Sequence, residues 1–133
     1  MVVGQTAEFS KTLSETDVYL FAGITADFNP AHVNESYARE SIFKKRVVHG
    51  MLTAGLISAV LGNKLPGPGT IYVKQELNFL APVFIGDTVT AQVKVIEISH
   101  GTNRVRLETK CFNQEGLLVL DGEAVVIPPK SRE

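Results

Sequence analysis

From Met51 to Leu61 the chain reads "MLTAGLISAVL", apolar or small on nearly every side of a helix. A helix without a polar face is stable only where something covers it. A bilayer is not that cover, because a membrane span needs about 20 apolar residues and this run is shorter. The cover must come from the rest of the chain. "GNKLPGPG" closes the run, with Gly62 as the expected C-cap and the Pro/Gly cluster as a turn.

The second half of the chain supplies the wrapping. "TIYVKQELNFLAPV" reads as one strand. In "DTVTAQVKVIEI" the residues Val89, Ala91, Val93 and Val95 share one face, and the phase slips at Ile96, which predicts a bulge. "NRVRLETKCF" alternates cleanly, with Arg104, Arg106, Glu108 and Lys110 outward, and "GLLVLDGEAVVIP" is the last strand. "IGD", "SHGTN" and "NQEG" are the turns between them. His100, in a turn, is expected in solvent. Cys111 is in phase with Val105 and Leu107 and reads as a small core residue.

The first half is mixed. Thr6 to Leu13 suits a short strand. "SETD" looks like a helix start, Ser14 capping and Asp17 three residues later, followed by a helix from about Glu15 to Ala22 with Val18, Leu20 and Phe21 on its apolar side. Asn34 can cap a second helix, roughly Glu35 to Ser41. Between them lies "ADFNPAH", which gathers Asp27, Asn29 and His32 around Pro30. Asn29 precedes proline and is pushed away from α geometry, so Asp27 and His32 do not share one continuous helix. Read by spacing alone, this is either turn chemistry or an acid–base pair on a rigid loop. Helices first, then an antiparallel meander around one apolar helix, make an α+β domain.

With 133 residues, one domain spanning 1–133 is the expectation, and one cysteine rules out an intrachain disulfide. The formal net charge of −1 gives no electrostatic reason for nucleic-acid binding. The N-terminus lacks the basic flank and long apolar run of a signal peptide, so a cytoplasmic protein without membrane association is expected.

"AGITADFNPAH", followed by "RVVHGMLTAGLISAVLG" and "FLAPVFIGDTVTAQVKV", resembles the (R)-specific enoyl-CoA hydratases, the MaoC-like hydratases. The likeness runs from Ser14 to Pro128. It implies a hot-dog fold, an antiparallel sheet wrapped around a long central helix, with Met51–Leu61 as that helix. It implies a homodimer, the two sheets joined edge to edge and the acyl chain entering near the interface. The chain departs from the family where many members have Ser-Gly-Asp. Thr25 and Ala26 stand in place of the first two.

The implied reaction adds water to a trans-2-enoyl-CoA to give an (R)-3-hydroxyacyl-CoA. Asp27 is then the base, and His32 orients the same water and relays its proton. An apolar acyl tunnel beside Asp27 would make it a stronger base than in water. Gly50, at the start of the buried helix, would offer its backbone N–H to the thioester oxygen as it takes on enolate charge. Without that role, Gly50 serves only tight packing. Asn29 would hold the turn, His49 would make a structural hydrogen bond, and Ser58 would either bond back to its own helix or support the site. Arg39, Lys44, Lys45 and Arg46 could meet the phosphates of coenzyme A or simply form a solvated face. His49 with Asp27 and His32 has the make-up of a two-histidine, one-carboxylate metal set, but the family needs no metal and no cofactor beyond the coenzyme A of the substrate.

Three rivals keep the fold. A dehydratase acting on 3-hydroxyacyl groups of acyl carrier protein would run the reverse reaction. A hot-dog thioesterase would attack the carbonyl. A non-catalytic acyl-CoA binding domain would lack use for Asp27 and His32. Polyhydroxyalkanoate supply and fatty-acid metabolism both use the hydration.

Overall fold

The computed structural model describes residues 1–130. In chain order the elements are β1 (Thr6–Thr12), α1 (Glu15–Thr25), α2 (Pro30–Val33), α3 (Glu35–Arg39), α4 (Gly50–Asn63), β2 (Ile71–Phe79), β3 (Thr88–Ser99), β4 (Arg104–Phe112) and β5 (Leu118–Ile127). The strands form one sheet in the order β1-β3-β4-β5-β2, and every neighbouring pair is antiparallel. The sheet curls around α4, which packs chiefly on β3. This is the hot-dog arrangement.

Alternation decides which side of each strand meets α4. Val89, Ala91, Val93 and Val95 of β3 and Val105, Leu107 and Cys111 of β4 are buried in one core with Ile57, Val60 and Leu61 of α4. Burial also pushes the Cys111 thiol up to about 12, which makes it an inert core group. The register of β3 on β4 shifts between Val95 and Glu97, so Ile96 is the bulged residue and the outer phase reverses there, as the sequence predicts.

α1 starts where a capping box places it. Asp17 N–H donates to Ser14 Oγ at 3.1 Å, and Ser14 N–H donates to Asp17 Oδ2 at 2.9 Å. Lys11 Nζ adds a bond of 3.0 Å to the same carboxylate. The helix runs three residues beyond the expected Ala22 end, to Thr25. Thr25 Oγ1 donates to the Phe21 carbonyl at 2.8 Å and accepts from Asp27 N–H at 3.2 Å, which closes the last turn. Leu20, expected on the apolar side, is exposed, and Ala22 is buried in its place beside Val18.

α4 also extends past its expected limits, from Gly50 to Asn63, with Lys64 rather than Gly62 at the C-cap. Only one side of it is covered. Thr53, Ala54, Leu56, Ile57, Val60 and Leu61 are buried, while Met51, Gly55 and Ser58 are exposed. The exposed side faces β2, whose Ile71, Tyr72 and Val73 are exposed as well. Among the described residues no helix is long and apolar enough to cross a membrane.

β2 closes on β5 because Gly122 has no side chain. A β-carbon there would lie 1.7 Å from the Glu76 carbonyl oxygen. Gly122→Ala must therefore push the two strands apart, at about 1–3 kcal/mol for an overpacked interior. The expected result is a lowered thermal midpoint by circular dichroism, and an unchanged midpoint would count against this strand pairing.

Candidate active site

The acid and the two histidines meet from two parts of the chain, and the turn that carries Asp27 and His32 is built from its own side chains. Ala26 ends α1 in the left-handed region at φ 64°. Asn29 N–H donates to Asp27 Oδ1 at 3.2 Å. Asn29 is extended, as a residue before proline must be, and its Oδ1 accepts from Ala31 N–H at 3.0 Å. It thus caps the short turn Pro30–Val33, where a fully irregular loop was expected. Pro30 at the first position needs no N–H partner.

His32 projects from that turn. Its Nδ1 lies 2.7 Å from the Val47 carbonyl. A carbonyl can only accept, so Nδ1 carries the proton and Nε2 of the neutral ring keeps a lone pair. Val47 is itself fixed, bridged to Phe84 in antiparallel fashion, and its N–H donates to the Ala31 carbonyl at 3.2 Å. Nothing in the identity of residue 47 signals this role, since the backbone performs it.

His49 is the buried centre of the group, 1% exposed. Its Nε2–H donates to the backbone carbonyl of Asp27 at 3.0 Å. Its ring stacks on that of His32, with centroids 3.9 Å apart and planes 29° apart, and Phe21 packs on it at 4.8 Å. One imidazole therefore touches both members of the expected pair. With Nε2 donating, its Nδ1 is a bare acceptor, buried without a partner.

A ring nitrogen of each histidine and a carboxylate oxygen of Asp27 lie within 4.8 Å of one another. A metal would sit in the plane of each ring that binds it, along the nitrogen lone pair. An ion bound by both rings would have to lie in both planes at once, and planes 29° apart with centroids 3.9 Å apart meet well beyond the reach of a metal–nitrogen bond. One water, with hydrogen bonds of about 2.8 Å, spans such a gap directly.

A cleft of about 460 Å³ opens beside His32. Asn29, His32, Gly50, Thr53, Phe79 and Val83 are among its walls. Gly50 is the first residue of α4, half-buried, and His49 at the cap position gives the helix no side-chain cap because its ring is turned to Asp27. The first-turn N–H groups are thus without a side-chain acceptor. Thr53, one turn further on, has a buried hydroxyl without a partner. Phe79 and Thr53 were not singled out in the sequence. A hydroxyl in so apolar a helix was a signal for Thr53, as it was for Ser58, whereas Phe79 had none.

Other expectations are corrected. Asp27 is exposed and is not among the residues lining the cleft, so no apolar tunnel surrounds it within one chain. Ser58 is exposed too, not a buried hydroxyl. It lines a second cleft of about 440 Å³ between α4 and β2, with Met51, Tyr72 and Leu77. Arg46 is committed inside the fold, donating to Glu15 Oε1 and to Tyr19 Oη, each at 2.8 Å. The Arg46 hydrogen bond, helped by Tyr19, holds the Glu15 carboxyl below its ordinary value. Lys45 lies over the Phe84 ring at 4.3 Å. Arg39 and Lys44 are exposed, and His100 is exposed as expected.

Residues 2–114 match the family described as MaoC like domain. The chain is 56% identical to an (R)-specific enoyl-CoA hydratase of Rhodospirillum rubrum over 95% of its length and 87% of the relative's. It is 50% identical to a 3-hydroxybutyryl-CoA dehydratase of Methylorubrum extorquens, over 98% of this chain and 83% of that one. The solved structure of an (R)-hydratase from A. caviae involved in PHA biosynthesis superposes with a TM-score of 0.94 at 44% identity, covering 97% of this chain and 98% of that one.

Ala26 occupies the left-handed conformation that glycine adopts freely. Ala26→Gly should relieve about 1 kcal/mol of strain and give back part of it in unfolded-state entropy. The expected outcome is a small rise in the denaturant midpoint, and a fall would contradict the strain at this position.

Proposed function

The chain belongs to the MaoC-like domain family, and on that premise we propose that it hydrates trans-2-enoyl-CoA thioesters to (R)-3-hydroxyacyl-CoA. The observation that carries the reading is the approach of the Asp27 carboxylate to the His32 ring, with both held by His49. One water between them donates a hydrogen to each. Asp27 takes the proton as the base, His32 Nε2 accepts the other hydrogen and aligns the oxygen, and the hydroxide adds to the β-carbon. Electrons move from the alkene onto the thioester oxygen. The N–H of Gly50 meets that developing charge at the positive end of α4. The proton taken from water is then relayed to the α-carbon, on the face that received the hydroxyl. One O–H bond and the π bond of the alkene are broken, one C–O and one C–H bond are formed, and no other reactant enters.

The relatives named for CoA substrates support CoA as the carrier. Arg39, Lys44 and Lys45 remain available for its phosphates, and Arg46 does not. Purified protein mixed with crotonyl-CoA should remove the enoyl-thioester absorbance and give the (R) product. Asp27→Asn and His32→Gln should each lose about 10²- to 10⁴-fold in turnover while keeping the fold. Near-normal rates in both variants would take the pair out of the mechanism. Release of free thiol would point to a thioesterase, activity confined to acyl carrier protein substrates to a carrier-protein dehydratase, and binding without turnover to an acyl-CoA binding domain.

A second copy of the chain completes this reading. β2 is an edge strand, and its exposed Ile71, Tyr72 and Val73 adjoin the uncovered side of α4. Such an edge is a template for pairing with another chain. A homodimer joined there would also cover Met51 and Ser58. Sedimentation at twice the 14.5 kDa chain mass is expected, and a monomer at micromolar concentration would remove the dimer from the account.

A further inference from the structure

The walls of the cleft beside His32 are of two kinds. Val48, Val83 and Leu120 belong to the buried core and are fixed by close packing on every side. Phe79 is different. It is the last residue of β2, about half of its surface is exposed, and its ring folds back over Gly50. A β-carbon on residue 50 would lie 2.7 Å from Phe79 Cε1 and 2.9 Å from Cδ1. Atoms do not approach that closely, so the ring rests there only because residue 50 is glycine. The atoms in the way belong to a side chain and not to backbone, so the contact can open by rotation of the ring.

We propose that Phe79 is a specificity-determining residue, an adjustable wall whose resting position against Gly50 sets the acyl chain length the cleft accepts. The proposal rests on the hydratase reading and deepens it. Phe79 and Gly50 both line the cleft, so with the ring down on Gly50 the ring forms one wall of the space left for the acyl group, and a short acyl group fills that space. A longer chain needs the ring to swing out, because Val48, Val83 and Leu120 cannot yield. Gly50 and Phe79 then act as a pair. The glycine serves the thioester by exposing its N–H and serves selectivity by giving the ring a seat.

The test compares kcat/KM for trans-2-butenoyl-CoA and trans-2-octenoyl-CoA in wild type, Phe79→Ala, Phe79→Leu, Gly50→Ala and the Gly50→Ala/Phe79→Ala double variant. Phe79→Ala should raise the octenoyl-over-butenoyl ratio by about tenfold, the discrimination a hydrophobic wall commonly provides, and Phe79→Leu should move it part of the way. Gly50→Ala should shift the ratio when Phe79 is present and leave it unmoved when Phe79 is already alanine, because the ring it displaces is gone. A ratio within about twofold of wild type in both Phe79 variants would overturn the proposal while leaving the hydratase reading standing. Failure of the wild type to hydrate either thioester would instead remove the hydratase reading, and this inference with it.

Discussion

The hydrogen bond from the His49 ring to the Asp27 carbonyl ties a surface turn to the start of the helix that the sheet wraps. Everything catalytic in this account hangs on that tie. α4 is fixed by its packing on β3, so His49 at its cap position is fixed as well. The ring then passes that order outward, through its N–H to Asp27 and through its face to His32. The preceding segment adds a second anchor, with Val48 N–H on the Val83 carbonyl at 2.7 Å and His32 on the Val47 carbonyl. A loop that lacks core contacts of its own is thereby positioned by backbone carbonyls and one buried imidazole. That suits acid–base chemistry, which requires geometry before it requires any particular pKa.

The same arrangement has local costs, and they fall in one place. α4 begins without a side-chain cap because its cap residue serves the site. His49 Nδ1 and Thr53 Oγ1 are buried without partners. Ala26 holds a backbone conformation that favours glycine. Each of these departs from what local stability alone would select, and all lie at the site: Ala26 adjoins Asp27, His49 stacks on His32, and Thr53 lines the same cleft as His32. Strain and unsatisfied groups collect at functional sites because the surrounding packing can sustain them. The sheet itself shows the opposite character, with clean alternation and one bulge where the phase of the sequence slips.

How much of this is legible in the sequence depends on how local its cause is. The capping box at Ser14 and Asp17, the cap at Asn34, the bulge at Ile96 and the inward phase of Cys111 are set by residues within a few positions of each other, and they stand in the structure as read. The apolar run from Met51 to Leu61 announces the central helix for the same reason. Features set by distant contacts were not legible. The even apolarity of α4 suggested cover on all sides, yet the sheet of one chain covers only one side, so Ser58 and Met51 are exposed. Arg46 looked like part of a free basic run until Glu15 and Tyr19, far away in sequence, engaged it. The seat of Phe79 on Gly50 joins two residues whose only common signal is that one of them has no side chain. The string "ADFNPAH" lies between these cases. Its turn chemistry is local and was readable, whereas its partner His49 comes from another part of the chain.

The central claim is that one water, held between Asp27 and His32, supplies both the hydroxyl and the proton to the same face of the double bond. Hydrating crotonyl-CoA in deuterium oxide and reading the relative configuration at the α- and β-carbons by proton NMR tests it most directly. The account predicts a single deuterium added syn to the hydroxyl in the (R) product. Anti addition, or deuterium scrambled over both α positions, would contradict it, because the hydroxyl and the proton would then come from different sides or different waters.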